Sequence, residues 1–275
     1  MKLKWLKATG LALVLSVIAG CQSVSTTQSG AIGVDREQRM LTMLSEKEVN
    51  KMSEDAYRQQ LALASKKRVL NRDEVTVKRL RKIGEHLIAQ VAVFRPDARQ
   101  WRWEINLMTD KQLNAYCMPG GKIMFYTGII ETLKLSDDEI AAIMGHEMAH
   151  ALREHGREGM SQAYAVAMGR NAIGALLGVD PQLMQLGDTV VNYALTLPNS
   201  RTNEAEADLI GLELMARAGY NPEAAITLWQ KMEKASEGQS PPEFMSTHPA
   251  NETRIQGLRH NLPKVTPLYK SAKKN

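Results

Sequence analysis

Apolar residues recur three or four positions apart along much of the chain, which is the spacing of one face of a helix. This spacing predicts charged, amphipathic helices between residues 35 and 95 and further helices over residues 158–196. Residues 101–108 alternate instead, and with the short run 122–128 they are typical of strands. The pattern therefore predicts a predominantly helical α+β fold with a small β-unit.

A capping box fixes the start of one further predicted helix. Ser136 is followed three residues later by Glu139, so we expect the Ser136 side chain to cap a helix that begins at the next residue. This helix carries the stretch AAIMGHEMAHALREH, residues 141–155. Three of the chain's six histidines lie in this otherwise apolar run, so its polar groups are the first candidates for chemistry.

The first 20 residues have the order of a secretory signal. The basic start MKLKWLK is followed by the apolar run LALVLSVIAG, which is too short for a stable membrane span, and then by Cys21. The ending IAGC resembles the bacterial lipoprotein box, in which the cysteine becomes an acylated N-terminus. Gln22 stands where an aspartate commonly retains lipoproteins at the inner membrane, so the sequence favours the periplasmic face of the outer membrane.

The chain divides further by composition. Residues 1–20 are interpreted as a lipoprotein signal peptide, and residues 21–34, rich in Ser, Thr, Gln and Gly, as a lipidated flexible tether. Residues 35–262 are long enough for one sizeable core and are predicted to be one domain. Residues 263–275, which are basic and interrupted by proline, are predicted to be a disordered tail.

Charge and cysteine content argue against two classes of protein. Without the three lysines of residues 1–20, the 35 Lys and Arg residues fall to 32, against 30 Asp and Glu residues, so the chain is nearly neutral. Since no run of Arg and Lys is interleaved with aromatic residues either, nucleic acid is not predicted as a partner. An acylated Cys21 leaves Cys117 alone, which excludes a disulfide framework.

Two histidines of the capped helix have the spacing of metal ligands. His146 and His150 lie four residues apart, so both imidazoles project from the same face and can meet one metal ion. Glu147 lies about 100° around the helix, where it can accept a proton from a metal-bound water; this is the HExxH zinc arrangement. His155 falls about 140° off the ligand face, so Glu154 and His155 are predicted to be surface residues.

A catalytic zinc ion takes three protein ligands and leaves one position for water, so a third ligand is needed. Residues 198–220 predict a second helix, on whose apolar face Glu204 and Asp208 lie one turn apart. Glu204 is therefore the predicted third ligand, and Asp208 is placed to hydrogen-bond a ligating histidine. Glu206 and Glu213 fall on another face, which looks solvated.

HExxH followed about fifty residues later by Glu-x-x-x-Asp resembles the gluzincin metallopeptidases of the CAAX prenyl protease type, which have bacterial heat-shock and mitochondrial inner-membrane relatives. The resemblance covers most of residues 75–258. It is carried by the stretches LNAYCMPGGKIMFYTGII, LSDDEIAAIMGHEMAHALREHG, SRTNEAEADLIGLELMARAGYNP and THPANETRI. Because no membrane span follows the signal, the chain resembles a soluble, lipid-tethered periplasmic branch.

This resemblance implies a zincin-like core, in which a small β-sheet packs on the HExxH helix and a second helix carries the glutamate ligand. It implies one Zn²⁺ per chain bound by His146, His150 and Glu204, with Glu147 as general base. It also implies that the strand before the HExxH helix pairs with substrate, by β-addition that suits unfolded chains. The residues of that strand are Lys122, Ile123, Met124, Phe125 and Tyr126. The alternative is a plain core strand.

Other polar residues remain candidates for the site. His248, in the loop predicted at residues 236–253, is a candidate transition-state donor or a fourth zinc ligand that keeps the enzyme latent; the alternative is a loop-capping residue. Either Arg201 or Arg254 is a candidate for a buried ion pair.

Together these residues predict a zinc-dependent metalloendopeptidase, anchored through a lipidated Cys21 and acting in quality control of the bacterial envelope. Its predicted partners are unfolded or misassembled envelope proteins, the membrane through the lipid anchor only, and, as a candidate, the outer-membrane assembly machinery. The alternative is a chaperone-like binding or assembly factor with a latent, rarely active zinc site. A non-peptide zinc hydrolase is disfavoured by the peptide-pairing strand but stays open.

Overall fold

The computed structural model describes residues 21–177, 199–236, 242–249 and 252–274. The proposed signal peptide at residues 1–20 lies outside them, as does the second part of the helical region predicted at 158–196. Within the described ranges, no helix is both long enough and apolar enough to cross a membrane.

Helices make up most of the described chain. They are α1 Glu46–Lys66, α2 Glu74–Ile88, α3 Thr127–Thr132, α4 Asp137–Leu152, α5 His155–Leu177, α6 Arg201–Arg217, α7 Ala224–Ser236, α8 Glu243–Thr247 and α9 Glu252–Ala272. The strands are β1 Cys21–Val24, β2 Gln38–Leu41, β3 Glu104–Met108, β4 Ala115–Met118 and β5 Lys122–Tyr126. The predicted α+β class, predominantly helical with small sheets, is confirmed.

β5 is the central strand of a three-stranded sheet with the order β3-β5-β4. β3 runs parallel to β5 and β4 runs antiparallel to it, so that Ile123 lies between Ile105 on one side and Cys117 on the other. β3 and β5 confirm the two predicted strands. β4 was not predicted, because a strand of only four residues is too short to show a clear alternation.

α4 is the central helix of the core. It begins at the predicted capping box, in which Ser136 Oγ accepts a hydrogen bond from the Glu139 N–H and the Glu139 carboxylate accepts one from the Ser136 N–H. The helix is buried without a break from Glu139 to Leu152 and packs against α2, α6, α7 and β4. A helix surrounded in this way needs apolar residues on every side, which this stretch has.

α4 and α6 approach to backbone contact at two glycines. A Cβ atom on Gly145 would lie 3.0 Å from the carbonyl oxygen of Gly211, and one on Gly211 would lie 2.7 Å from the backbone nitrogen of His146. No larger residue fits between the two backbones at this crossing. The crossing therefore sets the distance between the histidines on α4 and the carboxylates on α6.

Residues 21–34, predicted to be a flexible tether, are folded against the domain. β1 pairs antiparallel with β2, and Ile32 and Val34 are only 2% and 6% exposed. The backbone N–H groups of Ala31 and Ile32 donate to the Glu213 carboxylate at 3.0 and 2.7 Å. The prediction was wrong because a mainly polar composition concealed two apolar residues that reach the core.

The disordered tail predicted at residues 263–275 is also wrong over most of its length. α9 continues through Pro263 and Pro267 to Ala272. Each proline removes a backbone hydrogen bond, but Leu258 and Val265 of this helix are buried, and α9 packs along α6. Within the loop predicted at 236–253, α8 is a single helical turn; residues 237–241 and 250–251 lie outside the described ranges.

Candidate metal centre

Four buried side chains from three parts of the chain converge at one point. His146 and His150 come from α4, Glu204 comes from the first turn of α6, and His248 follows α8. One ligand atom from each of these residues lies within 4.8 Å of the other three. The three ligands expected from the sequence are therefore brought together, and His248 lies with them.

The spacing of these atoms fits a zinc ion. His146 Nε2 lies 3.1 Å from His150 Nε2 and 3.4 Å from Glu204 Oε2, while His150 Nε2 lies 3.2 Å from Glu204 Oε1. With metal–ligand distances of about 2.0–2.1 Å, two ligand atoms of a tetrahedral zinc site lie about 3.3–3.4 Å apart. Two imidazoles and a carboxylate are also a donor set that zinc prefers.

His248 adds a fourth ligand atom to the cluster. Its Nδ1 lies 2.9 Å from Glu204 Oε1 and 3.2 Å from His146 Nε2. The Phe244 ring stacks on the imidazole with 4.6 Å between ring centroids, and the His248 N–H donates to the Phe244 carbonyl oxygen at 2.9 Å. The side chain thus points into the site and does not simply cap a loop.

Glu147 flanks the ligand cluster, as helix phase predicted. It is 3% exposed, and its Oε1 lies 3.3 Å from His248 Nε2. Burial raises the pKa of the Glu147 carboxyl above its ordinary value. A more basic carboxylate beside the ligands is what proton abstraction from water requires.

Arg254 and Asp208 hold the ligands from behind. The Arg254 guanidinium donates two hydrogen bonds of 2.7 Å to the Asp208 carboxylate, and its Nη1 lies 2.7 Å from Glu204 Oε2. Asp208 Oδ1 in turn lies 3.0 Å from His146 Nδ1, the ring nitrogen that faces away from the cluster. Asp208 therefore has the position expected of it. Arg254 is the buried ion-pair partner, whereas Arg201 is exposed.

Burial and the neighbouring charges shift the pKa values of the ligands in different directions. Burial lowers the pKa of His150 well below its ordinary value, which favours the neutral ring that a metal requires. Burial also lowers the pKa of His146, but hydrogen bonds to Asp208 and Glu204 outweigh it and raise the value to about 9. Burial alone would raise the pKa of Glu204, but His248 and the other two histidines hold it well below its usual range.

Glu154 and His155, predicted to lie on the surface, are only 6% and 2% exposed. The prediction extended the helix phase of α4 to these residues, but α4 ends at Leu152. Glu154 then takes a φ of 52°, in the left-handed region, and α5 starts in a new direction. As a result, His155 turns back towards the site, where its Nδ1 lies 2.8 Å from His150 Nδ1.

The face of α6 predicted to be solvated is buried as well, with Glu206 6% and Glu213 0% exposed. Glu206 lies 3.0 Å from Nε2 of His155 and from two guanidinium nitrogens of Arg153, and 2.5 Å from Nε of Arg36. Burial raises the pKa of Glu206, but these hydrogen bonds and charges together bring it down to about 2. Backbone N–H groups of the supposed tether, at Ala31 and Ile32, cover Glu213, while Arg36 and Arg153 cover Glu206.

A cavity of about 370 Å³ opens beside Glu147 and His150. One wall is β4 with its flanking residues, 114–119, and the facing wall includes the start of α5 at Gly156, Gly159 and Gln162. The predicted substrate strand, Lys122–Tyr126, is wrong: β5 is hydrogen-bonded on both sides, so no peptide can be added to it. Within the described chain β4 pairs with β5 alone, so β4 provides the edge that faces the cavity.

Comparison with known proteins gives one matching family and several similar proteins. The model of peptidase family M48 matches residues 74–262. The mitochondrial metalloendopeptidase OMA1 of Schizosaccharomyces pombe is 38% identical over 166 residues, which are 60% of this chain and 48% of that protein. The metalloprotease LoiP of Escherichia coli is 28% identical over 258 residues, 90% of this chain and 93% of that protein. The chain spans about half the length of the fungal OMA1 proteins that it matches.

Proposed function

The chain belongs to peptidase family M48, and from this premise we propose that it is a zinc-dependent metalloendopeptidase. The observation that carries the proposal is the convergence of His146, His150 and Glu204 at the distances of a zinc site, with Glu147 beside them. The cavity next to these residues gives a substrate access to the same point.

A zinc ion held by the three ligands would lower the pKa of a water molecule and polarise the scissile carbonyl. Glu147 then accepts the proton of the attacking water as the new C–O bond forms. The same carboxyl returns that proton to the amide nitrogen as the C–N bond breaks, which gives one carboxylic acid and one amine.

β4 supports the binding of an extended substrate. Asn114 and Met118 direct their carbonyl oxygens to the backbone N–H groups of Tyr126 and Gly121, on the β5 side. Because the direction of backbone groups alternates along a strand, Ala115 and Cys117 face the other way. A peptide added to this edge is read through its backbone, so the proposed substrates are unfolded or misassembled proteins whose segments can extend into the cavity.

His248 supports a latent resting state. A fourth side-chain ligand closes the position that a catalytic zinc ion leaves for water, so His248 must withdraw before Glu147 can activate one. The same observation favours a second candidate function: a chaperone-like binding or assembly factor whose zinc site is rarely active. Both candidates use the β4 edge, and they differ in whether the bound chain is cut.

The N-terminal sequence supports attachment to the bacterial envelope through an acylated Cys21, most simply at the periplasmic face of the outer membrane, within a lipid-tethered branch of the family. Since β1 begins at this residue, a lipid here would join a folded strand directly and hold the domain close to the membrane. We expect Cys21→Ser to move the protein from the membrane fraction to the soluble fraction. A wild-type protein that is already soluble would contradict the anchor.

Metal analysis combined with proteolysis tests the enzymatic proposal. Purified protein should contain one zinc ion per chain and cleave an unfolded protein such as casein, and a chelator should abolish cleavage. Glu147→Gln should retain zinc but lose at least about a hundredfold in rate, as expected for the loss of general base catalysis. Glu85→Gln, the same change at an exposed position of α2, is the matched control.

Cleavage that survives Glu147→Gln, or a protein without zinc, would refute the mechanism. Binding of unfolded protein that Glu147→Gln leaves unchanged, with no cleavage at any zinc concentration, would favour the chaperone-like candidate instead.

A further inference from the structure

A second buried histidine lies directly behind one of the zinc ligands. His155 is 2% exposed, and its Nδ1 lies 2.8 Å from Nδ1 of His150, the ring nitrogen that faces away from the ligand cluster. Its other ring nitrogen, Nε2, lies 3.0 Å from Glu206 Oε2. His155 therefore connects a zinc ligand to a buried carboxylate.

The chemistry of the metal site fixes the direction of these two hydrogen bonds. His150 presents Nε2 to the ligand cluster, so this nitrogen must be unprotonated and the ring proton must be on Nδ1. That N–H can donate only if His155 Nδ1 accepts. The proton of a neutral His155 is then on Nε2, where it donates to Glu206. The direction of the hydrogen bond from His150 to His155 thus fixes the direction of the one from His155 to Glu206.

Glu206 is in turn held firmly at the far end. Its Oε2 accepts hydrogen bonds of 3.0 Å from Nε and Nη2 of Arg153, which is 0% exposed, and its Oε1 accepts one from Arg36 at 2.5 Å. Arg36 is itself paired with Glu158 at 2.7 Å. These hydrogen bonds restrain the Glu206 carboxylate in its position beside His155.

The arrangement parallels the support of the other histidine ligand. His146 has Asp208 behind it, and Asp208 is fixed by Arg254. Each ligating imidazole therefore has an acceptor atom within 3.0 Å of the ring nitrogen that faces away from the cluster, and each acceptor leads to a buried arginine. For His150 this acceptor is the imidazole of His155, which links His150 to the carboxylate of Glu206.

We propose that His155 is a positioning residue of the zinc site, which fixes the tautomer and the ring orientation of His150 through the contacts His150–His155–Glu206. The proposal rests on the zinc site described under Proposed function. It adds a role for a residue that does not itself bind the metal.

Zinc affinity tests this role independently of cleavage. Apoprotein is titrated with zinc against a competing chromophoric chelator, for wild type, His155→Leu, His155→Phe and His155→Gln. The two apolar variants leave the His150 Nδ1–H without an acceptor, so we expect zinc binding about 10–100-fold weaker. Gln can accept with its oxygen and donate with its amide nitrogen, so His155→Gln should keep its affinity within about threefold.

Two further measurements separate positioning from a merely structural role. The absorption spectrum of the Co²⁺-substituted protein should change in the apolar variants and not in His155→Gln, because it reports ligand geometry. In cleavage assays the apolar variants should lose kcat more than they change KM, since His155 acts through His150 and is not part of β4, the strand that would pair with the peptide. His86→Leu is the matched control, because His86 is exposed on α2 and its ring contacts Tyr220.

Wild-type affinity and an unchanged Co²⁺ spectrum in His155→Leu and His155→Phe would overturn the positioning role and leave the proposed function intact. Equal losses in His155→Gln and the apolar variants, together with lower melting temperatures of the apoproteins, would show that the role is structural and overturn it as well. Failure of both apolar variants to fold would count against the proposal in the same way. A wild-type protein that binds no zinc would reject both proposals.

Discussion

The crossing of α4 and α6 provides a direct test of whether backbone contact sets the geometry of the metal site. Adding one methyl group in Gly211→Ala would place a Cβ atom 2.7 Å from the His146 nitrogen, 2.9 Å from the Gly145 carbonyl carbon and 3.0 Å from the His146 Cα. All three neighbours are backbone atoms, so no side chain can rotate away. The two helices must separate.

The size of this movement follows from ordinary contact distances. Bringing the closest contact from 2.7 Å to the ordinary lower bound of 3.4 Å requires a shift of 0.7 Å. A functional constellation tolerates errors of only about 0.5 Å, so Glu204 on α6 would no longer match His146 and His150 on α4. We therefore expect zinc affinity to fall about tenfold or more, as it does when ligand orientation is disturbed.

Stability provides a second readout, with a matched control in the same chain. Gly→Ala inside a helix gains about 1 kcal/mol from propensity, whereas overpacking costs about 1–3 kcal/mol. The free energy of unfolding of Gly211→Ala should therefore be about 0–2 kcal/mol lower than that of wild type. A Cβ on Gly257, in α9, meets nothing within 4 Å, so Gly257→Ala should be about 1 kcal/mol more stable than wild type.

Chemical denaturation of the apoproteins and zinc titration against a competing chelator measure both effects. The difference in unfolding free energy between the two variants isolates the overpacking term, since propensity contributes equally to both. If Gly211→Ala matched Gly257→Ala in stability and bound zinc like wild type, the inference that this crossing sets the ligand distances would be refuted.

Three further predictions concern latency, metal linkage and acid stability. His248→Ala should bind zinc more weakly but cleave casein several times faster than wild type; slower cleavage would instead assign His248 to transition-state stabilisation. Zinc at a thousand times its Kd should raise the free energy of unfolding by about 4 kcal/mol, and an unchanged melting curve would contradict a folded-state site. Burial raises the pKa of the Glu139 carboxyl, but the hydrogen bonds from Lys231 and the Ser136 N–H outweigh burial and bring the pKa below its ordinary value of 4.5. The charged carboxylate therefore stabilises the fold above pH 4.5, and this stability is lost as the pH falls through the lower pKa of the folded state. Stability measured against pH should therefore separate wild type from Glu139→Gln at neutral pH and bring the two together in acid; a constant difference would contradict the linkage.

Helix phase predicted the part of the site that depends on local geometry. Ser136 fixed the start of α4, so the directions of His146, Glu147 and His150 followed from a period of 3.6 residues. Glu204 and Asp208 followed in the same way on α6. These directions do not depend on how the two helices pack, because in a regular helix each residue is rotated by a fixed angle about the helix axis.

The same reasoning failed where the helix was not regular. His155 was assigned to the surface because the phase of α4 was continued past Leu152, whereas Glu154 adopts a left-handed conformation and redirects the chain. A non-glycine residue in that region is uncommon, and this sequence carries no glycine at the break that would have indicated it. The role of His155 is therefore visible only in the structure.

The sequence by itself determined the type of chemistry, since it contains the ligand types, their spacing on two amphipathic helices and a base beside them. Tertiary structure decided everything that depends on contacts between distant segments: the edge strand β4, the entry of His248 into the ligand cluster, and the folding of residues 21–34 over α6. Periodicity shows which face of an element is apolar, but it does not show which neighbour covers the other faces. The neighbour alone decides whether both edges of a strand are paired and whether a carboxylate meets an arginine.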